Sequence, residues 1–459
     1  MSIGSLLKRN AAISAVLLVL VMTVLDGTLV NVALPALARD FRISDSTSVW
    51  LVTVYQLVIT MLLLPVSAIG DIFSYRRTFL TGVVIFTCAS LLCALSPSFP
   101  FLVAARGIQG LGAACVMGVN IALTRIIYTP DSLGRGLALN AMVIAVATAA
   151  GPSIAGALFA VASWHWLFLI NIPFGILAFI FGRRLLPQNP CRQHKKKFDL
   201  IACVQNAVTF GLILYALGNI ARKGDVVNSA IILFVGLLVG FFYIRREQGR
   251  EQPMLPVDLF KVRLYTLSVV TSVCSFISQN IAMVSLPFLY HVTCGFSMVT
   301  TGLLMTPWPV ATMIVSPLAA RFVEKHNPAL TAAVGMAIYC LGALSLFLMP
   351  AANVSEWSVA WRMAVCGIGF GMYQTPNNIV MVMATPLHRS GAAGGMQSTA
   401  RLLGQTVGAT SVTIIFTIIA DISYSVRVCL AVAMAFSLVA SSLSFGRAPA
   451  VKTKTNTRG

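Results

Sequence analysis

LVMTVLDGTLVNVALP, residues 20–35, is the stretch on which the reading of this chain turns. It lies in an apolar run from about residue 11 to residue 38, long enough to cross a bilayer as a helix, and it carries one carboxylate, Asp26, near its middle. A charge at that depth costs about 2.5–3.5 kcal/mol even on lenient insertion scales, so Asp26 is expected to face the protein interior or a wet cavity. No other Asp or Glu falls well inside an apolar run of membrane length. If the protein handles protons or cations within the membrane, Asp26 is the group placed to do so.

Working outward, the whole chain has the same character. Its 459 residues are 58% hydrophobic and 10% charged, and its mean hydropathy of +0.88 is too high for a water-soluble globular domain. The composition therefore predicts an all-α polytopic membrane protein. A net charge of +19 would suggest nucleic acid in a soluble protein, but here the basic residues sit in alternate loops, which is a topology signal. Ten cysteines are scattered singly, without CxxC spacing or a His/Cys cluster, and read as small apolar packing residues rather than a disulfide framework or a metal site. The five histidines lie near span ends or in loops and receive no role. Lys8 and Arg9 ahead of the first run could mimic a signal peptide, but the run is too long for one, so it is read as a retained first helix.

Runs of spanning length fall at about 11–36, 49–70, 78–96, 101–126, 136–161, 166–186, 200–221, 226–244, 264–290, 298–321, 329–349, 358–384, 393–420 and 426–446, fourteen in all. With the N-terminus in the cytoplasm, 24 of the 32 Lys and Arg lie on that side, five lie opposite, and Arg106, Arg362 and Arg401 lie within spans. The asymmetry puts both ends in the cytoplasm and favours an even number of spans. The basic tract Arg192–Lys197 belongs to this inside signal and can also meet anionic lipid. A weak repeat recurs at a lag near 250 residues. Leu34-Pro35 matches Leu286-Pro287; Ser67–Asp71 matches Ser316–Arg321; Arg106 opening a Gly-rich span matches Arg362; and Gly151 matches Gly404 or Gly408. The expected organisation is a six-helix bundle over residues 1–190, a basic loop with two inserted helices over 191–255, and a second six-helix bundle with a cytoplasmic tail over 256–459.

Three further motifs carry possible chemistry. SAIGDIFSYRR, residues 67–77, puts Asp71, Arg76 and Arg77 at the cytoplasmic mouth of the second span. They can pair there in one conformation and part in another, or form an ordinary solvated turn. In the fourth span, Arg106-x-x-Gln109-Gly110-x-Gly112 places a guanidinium about 9 Å below the outer surface, where it needs a partner. Asp26 is one candidate, with Gln109 one turn from the arginine; snorkelling outward or bonding to backbone carbonyls is the other. In the fifth span, Ala147-x-x-x-Gly151-Pro152-x-x-x-Gly156 combines small-residue packing with a kink, and it could also seal against ion leakage.

Taken together, LDGTLVNVALP, GDIFSYRR, RGIQGLGAA, the Gly-Pro span, SWHWLFLINIPFG (163–175) and TARLLGQTVGAT (399–410) resemble the signatures of the major facilitator superfamily, in particular its fourteen-helix drug:proton antiporter branch. The resemblance runs from about residue 10 to residue 446. It implies the major facilitator fold, two six-helix bundles plus two extra helices, in a bacterial-type inner membrane. It also implies export of lipophilic, often cationic, drugs or biocides, and it associates Asp26, Arg106, Gly151 and Pro152 with proton coupling and antiport. The mouth motif departs from the family pattern: Ser67 and Ser74 stand where Gly is usual, and Tyr75 where a basic residue is. A Cβ at those serines would bear on gating kinetics more than on class.

The expected function is thus a proton-coupled exporter, not an enzyme, that works as a monomer without cofactor or metal and exchanges protons for small lipophilic cations. Asp26, Arg106 and Gln109 form the coupling site; Asp71, Arg76, Arg77, Gly151 and Pro152 form the switch. The cavity wall is expected from Trp308, Tyr373, Gln374, Asn377, Asn378 and Arg401, with pliable methionines such as Met283, Met305 and Met313. One carboxylate holds a proton or a cation but not both, so a 1:1 exchange with a monocation moves no net charge. The alternative is a carrier for an organic anion or metabolite, in which Arg106, Arg362 and Arg401 make an anion site; a non-transporting membrane sensor ranks below both. No nucleophile with a base, metal spacing or nucleotide loop points to an enzyme.

Overall fold

The computed structural model describes residues 3–128, 133–187, 199–220, 226–248, 250, 257–323, 325–350, 354–384 and 390–450, and its regular structure there is helical. In chain order the long helices are α1 (Ile3–Asp40), α2 (Trp50–Ile72), α3 (Tyr75–Ala94), α4 (Phe99–Ile127), α5 (Leu133–Val161), α6 (Asn171–Leu185) and α7 (Leu200–Ile220). They continue as α8 (Val226–Gln248), α9 (Arg263–Phe288), α10 (Met298–Phe322, interrupted at Thr306), α11 (Pro328–Phe347), α12 (Glu356–Met383), α13 (Ser390–Ile418) and α14 (Ile422–Arg447).

Among the described residues, 12 helices are long and apolar enough to cross a membrane. Of the spans expected from sequence, those at α7 and α12 miss this measure. In α7 the apolar part is confined to Leu200–Ala216, and in α12 the polar run Gln374 to Asn378 dilutes the hydropathy of a long helix.

Local chemistry sets several helix ends. Ser74 caps α3 by accepting from the Arg77 amide at 3.4 Å, Asn327 caps α11 through the Ala329 amide at 2.9 Å, and Asp421 caps α14 through the Tyr424 amide at 2.6 Å. The break in α10 comes from Pro307 and Pro309, which lack the amide protons that would continue its ladder through Thr306.

Helices α1 to α6 pack mainly among themselves, as do α9 to α14, while α7 and α8 pair with each other and α7 lies against α2 and α13. Between the two groups the contacts run from α5 to α10, α2 to α13 and α1 to α9. The closest approaches use glycine. A Cβ at Gly112 of α4 would sit 2.5 Å from the Phe86 amide nitrogen of α3, and one at Gly369 of α12 would sit 2.2 Å from that of Tyr339 in α11. The interior of the second group is strongly aromatic: Trp308 meets Tyr339 with ring centroids 5.3 Å apart, and Phe276 meets Phe370 at 5.6 Å.

Candidate functional site

Asp26 on α1 is fully buried, and so is Arg106 on α4. The two form an ion pair through Arg106 Nη1 and Asp26 Oδ2. The other carboxylate oxygen accepts from Gln109 Nε2 and from Asn171 Nδ2, each at 2.9 Å. Gln109 also accepts from Arg106 Nη1 at 2.6 Å and donates to Ser90 Oγ at 2.8 Å. The guanidinium carbon lies 4.1 Å from the centroid of the Tyr55 ring and 5.7 Å from that of Phe168. Of the two fates open to Arg106 from sequence, the inward one is found: it is turned into the bundle rather than snorkelling to the surface.

The helices explain the assembly. Gln109 follows Arg106 by one turn on α4, so both face α1. Asn171 is the first residue of α6, and its side chain is buried in the bundle at that helix end. The carboxylate therefore has an opposite charge and two amide donors, which is what a buried anion requires. A proton arriving on Asp26 would cancel its attraction for Arg106 and leave a buried guanidinium without its counter-charge. Since no part of Asp26 is exposed, that exchange requires the surrounding helices to move.

Beside this network lies a cavity of about 110 Å³ at the seam between the two helix groups. The first group lines it with Thr23, Gly27, Thr28 and Asn31 of α1, Tyr55 and Gln56 of α2, Met117 of α4, and Thr148 and Pro152 of α5. The second contributes Gln279, Asn280 and Met283 of α9, Met305 and Pro309 of α10, and Arg401, Leu402 and Gln405 of α13. Tyr55 belongs to both places. One face of its ring covers Arg106, its hydroxyl donates to the Thr23 carbonyl at 3.2 Å, and it forms part of the cavity wall.

The residues singled out from sequence separate clearly. Asp26, Arg106 and Gln109 meet. Pro152 lines the cavity, and Gly151 lets α5 press on α1, since a Cβ there would fall 2.0 Å from Thr28 Oγ1. At the turn between α2 and α3, Arg76 donates to the Arg183 carbonyl at the end of α6 and Arg77 is exposed, while the side chain of Asp71 lies outside the described residues. The tract Arg192–Lys197 also lies outside them.

The residues expected at the cavity wall divide. Of its six residues only Arg401 borders the cavity, together with Met283 and Met305. Trp308 and Tyr373 are packed into the aromatic interior of the second group, Trp308 on Tyr339 and Tyr373 on Phe370. Asn377 is buried and donates to the Ser268 carbonyl at 3.4 Å, and Gln374 and Asn378, on the same stretch of α12, are half-buried away from the cavity. A polar run suits a wet surface, but Asn377 on this one faces the neighbouring α9. Tyr55 and Asn171 carried no role in the sequence reading. The available signal for Asn171 was an amide at the start of an otherwise apolar span. Tyr55 offered none, because an aromatic ring in an apolar helix is ordinary.

The model of the Major Facilitator Superfamily matches residues 16–409. The uncharacterized transporter YebQ of Escherichia coli (strain K12) is 47% identical over 405 residues, covering 88% of each chain. The multidrug efflux pump LfrA of Mycolicibacterium smegmatis is 30% identical over 416 residues, covering 88% of this chain and 80% of the relative. The riboflavin transporter RibZ of Clostridioides difficile is 28% identical over 392 residues, covering 84% of each. Among solved structures, a POT family transporter in complex with 5-aminolevulinic acid superposes with a TM-score of 0.70 at 14% identity, covering 95% of this chain and 96% of the other, a likeness of fold.

Proposed function

This chain belongs to the Major Facilitator Superfamily, and we propose that it is a proton-coupled exporter of small amphipathic compounds, drugs or biocides among them, working by alternating access. It is a transporter and not an enzyme. The observation that carries the proton-coupled part is Tyr55, which separates the sealed Asp26–Arg106 pair from the cavity while touching both sides. A substrate that fills the cavity presses on the ring covering Arg106. Protonation of Asp26 frees Arg106 to press back. The two events thereby share one movable wall, which is the physical requirement for coupling two ligands through two states.

The seam between the helix groups is where such a rocking motion would act. Its contacts are small and smooth: Gly302 of α10 lies against the Pro152 carbonyl of α5, and Ser153 Oγ meets Thr306 Oγ1 at 2.6 Å. These features support Gly151 and Pro152 as part of the switch and the seal. We also propose fourteen crossing helices, with α7 and α12 crossing alongside the twelve that meet the apolar measure. The proposed organisation keeps the bundles at residues 1–190 and 256–459 and the inserted pair within 191–255. Packing of α1–α6 and of α9–α14 among themselves supports it. The loop charges support an inner-membrane orientation with both termini in the cytoplasm. Export is favoured by the likeness to the multidrug efflux pump LfrA. The cationic substrate expected on the strength of Asp26 draws no support from the cavity, because the carboxylate is engaged by Arg106 and no acid is among the described residues that line the cavity.

The test is transport in proteoliposomes under an imposed pH gradient, with wild type compared against Asp26→Asn. Gradient-driven transport that falls roughly 100-fold in the variant, a loss of about 2.7 kcal/mol, is the expected result. Equal rates in two folded proteins would remove Asp26 from the coupling role.

A further inference from the structure

We propose that the central cavity selects substrates carrying a negative charge, and that Arg401 is the residue that binds it. The inference rests on the transport reading above and names the substrate class for the same cavity.

Three arginines were open as anion ligands from sequence, and the structure distinguishes them. Arg106 is taken up by Asp26. Arg362 lies near the start of α12, where it donates to the Ser345 carbonyl at 3.0 Å and the Ser358 carbonyl at 2.5 Å, with its guanidinium over the Trp361 ring. Arg401 alone lines the cavity, and among the described residues it has no hydrogen-bond or ion-pair partner. Among the described residues the cavity lining holds no carboxylate, and the charge of Asp26, behind Tyr55, is already matched by Arg106. With Asp26 and Arg106 cancelling, the interior at the seam carries one uncompensated positive charge.

A guanidinium held in a low-dielectric cavity without a counter-charge is unfavourable unless water or a ligand supplies what the protein does not. Its planar fork suits a carboxylate in two parallel hydrogen bonds. The remainder of the lining says more about the ligand. Asn31 and Gln56, two residues of the cavity wall, have amide oxygens buried without partners, so turning either side chain toward the cavity would offer an acceptor to ligand N–H or O–H groups. Met283 and Met305 give an adaptable apolar surface. The ligand that matches all three is an amphipathic organic monoanion with a carboxylate or equivalent group, an apolar body and a hydrogen-bond donor. A lipophilic cation would instead meet a like charge.

The experiment uses matched probe triplets on one aromatic body: 4-phenylbutyrate, 4-phenylbutylamine and 4-phenylbutyramide, and the corresponding indole series. Full-length protein in proteoliposomes is assayed for transport of each under a pH gradient, as wild type, Arg401→Gln and Arg401→Lys. Wild type is expected to move the carboxylates at least about tenfold faster than the amines. Arg401→Gln is expected to erase that preference, and Arg401→Lys, which keeps the charge, to retain most of it. Amines moved as fast as carboxylates, or a preference unchanged in Arg401→Gln, would overturn the assignment while leaving proton-coupled transport standing. Loss of transport in Arg401→Gln for amine, amide and carboxylate alike would overturn it too, because the arginine would then serve Asp26 and not the substrate. Carboxylates moved without regard to the pH gradient would uphold the charge selectivity and sink the coupling. Transport of no member of either series would count against both.

Discussion

Arg106 and Arg362 open corresponding helices in the two halves of the chain, each about two turns in from the helix start, and their surroundings have diverged. In the first half the arginine points inward to an acid, two amides and a tyrosine ring. In the second, the residue at the place of Asp26 by the Pro35–Pro287 repeat is Ser278, whose hydroxyl donates to the Ala433 carbonyl at 2.6 Å. Without an acid to face, Arg362 turns to the Ser358 carbonyl of its own helix and the Ser345 carbonyl of α11. The comparison teaches that one architecture has been given two electrical characters. The first half holds a charge pair that can be switched by a proton, and the second is an aromatic scaffold that offers the cavity one unpaired cation, Arg401.

The sharpest way to break that comparison is electrical. Exchange of one proton inward for one monoanion outward moves two charges, worth about 4.6 kcal/mol per 100 mV, whereas exchange for a monocation moves none. Substrate export in proteoliposomes should therefore accelerate strongly when a potassium diffusion potential is imposed at constant pH. A flat response to voltage would mean that Arg401 does not carry the substrate's charge.

The second contrast is stability. Arg106→Gln leaves Asp26 buried without its counter-charge and should cost about 3–5 kcal/mol, while the double variant with Asp26→Asn should recover much of it. Arg362→Gln gives up hydrogen bonds near the membrane surface and should cost about 1 kcal/mol. Thermal unfolding of the detergent-solubilised proteins ranks the three. Equal losses at the two arginines would mean that Asp26 does not distinguish the halves.

Much of this was legible from residue type and spacing. Asp26 announced itself by cost, since a lone carboxylate in a membrane span has to be repaid, and Arg106 with Gln109 one turn on was the nearest means of repayment. The repeat was readable because small residues at Gly112 and Gly369 are demanded by helix contact. The cavity wall was not readable in the same way. Trp308, Tyr373 and Asn377 have chemistry suited to a binding site, but which face of a helix meets the seam depends on crossing angles that one sequence does not reveal. Tyr55 was hidden for the same reason.

The third contrast concerns close helix packing within each half. A Cβ at Gly151 would strike the Thr28 hydroxyl at 2.0 Å, and one at Gly404, which relates α13 to α9 as Gly151 relates α5 to α1, would meet Phe276 Cβ at 2.7 Å and the Val273 carbonyl at 2.8 Å. Either Gly→Ala change should cost about 1–3 kcal/mol by overpacking. Only the first should be relieved by a second substitution, Thr28→Ala, because there the obstacle is a side chain and at Gly404 it includes backbone. Unfolding temperatures of the single and double variants decide this, and relief failing at Gly151 would mean that α5 meets α1 differently.

The smallest effect tests the wall between the two functions. Tyr55→Phe gives up the hydrogen bond to the Thr23 carbonyl, worth about 0.5–1.5 kcal/mol, and keeps the ring over Arg106, so gradient-driven transport should persist nearly unchanged. Tyr55→Leu keeps an apolar side chain of smaller reach but removes the aromatic face, whose attraction for a desolvated guanidinium is about 2 kcal/mol. If the ring is the shared wall, protons should then reach Asp26 from the cavity without substrate moving. A pH-sensitive dye trapped in the liposomes would record that leak as faster decay of the gradient in Tyr55→Leu than in Tyr55→Phe or wild type. Equal decay in all three would show that the seal over Asp26 is made elsewhere, and coupling would then have to pass through the α1–α5 contact at Gly151 instead of through Tyr55.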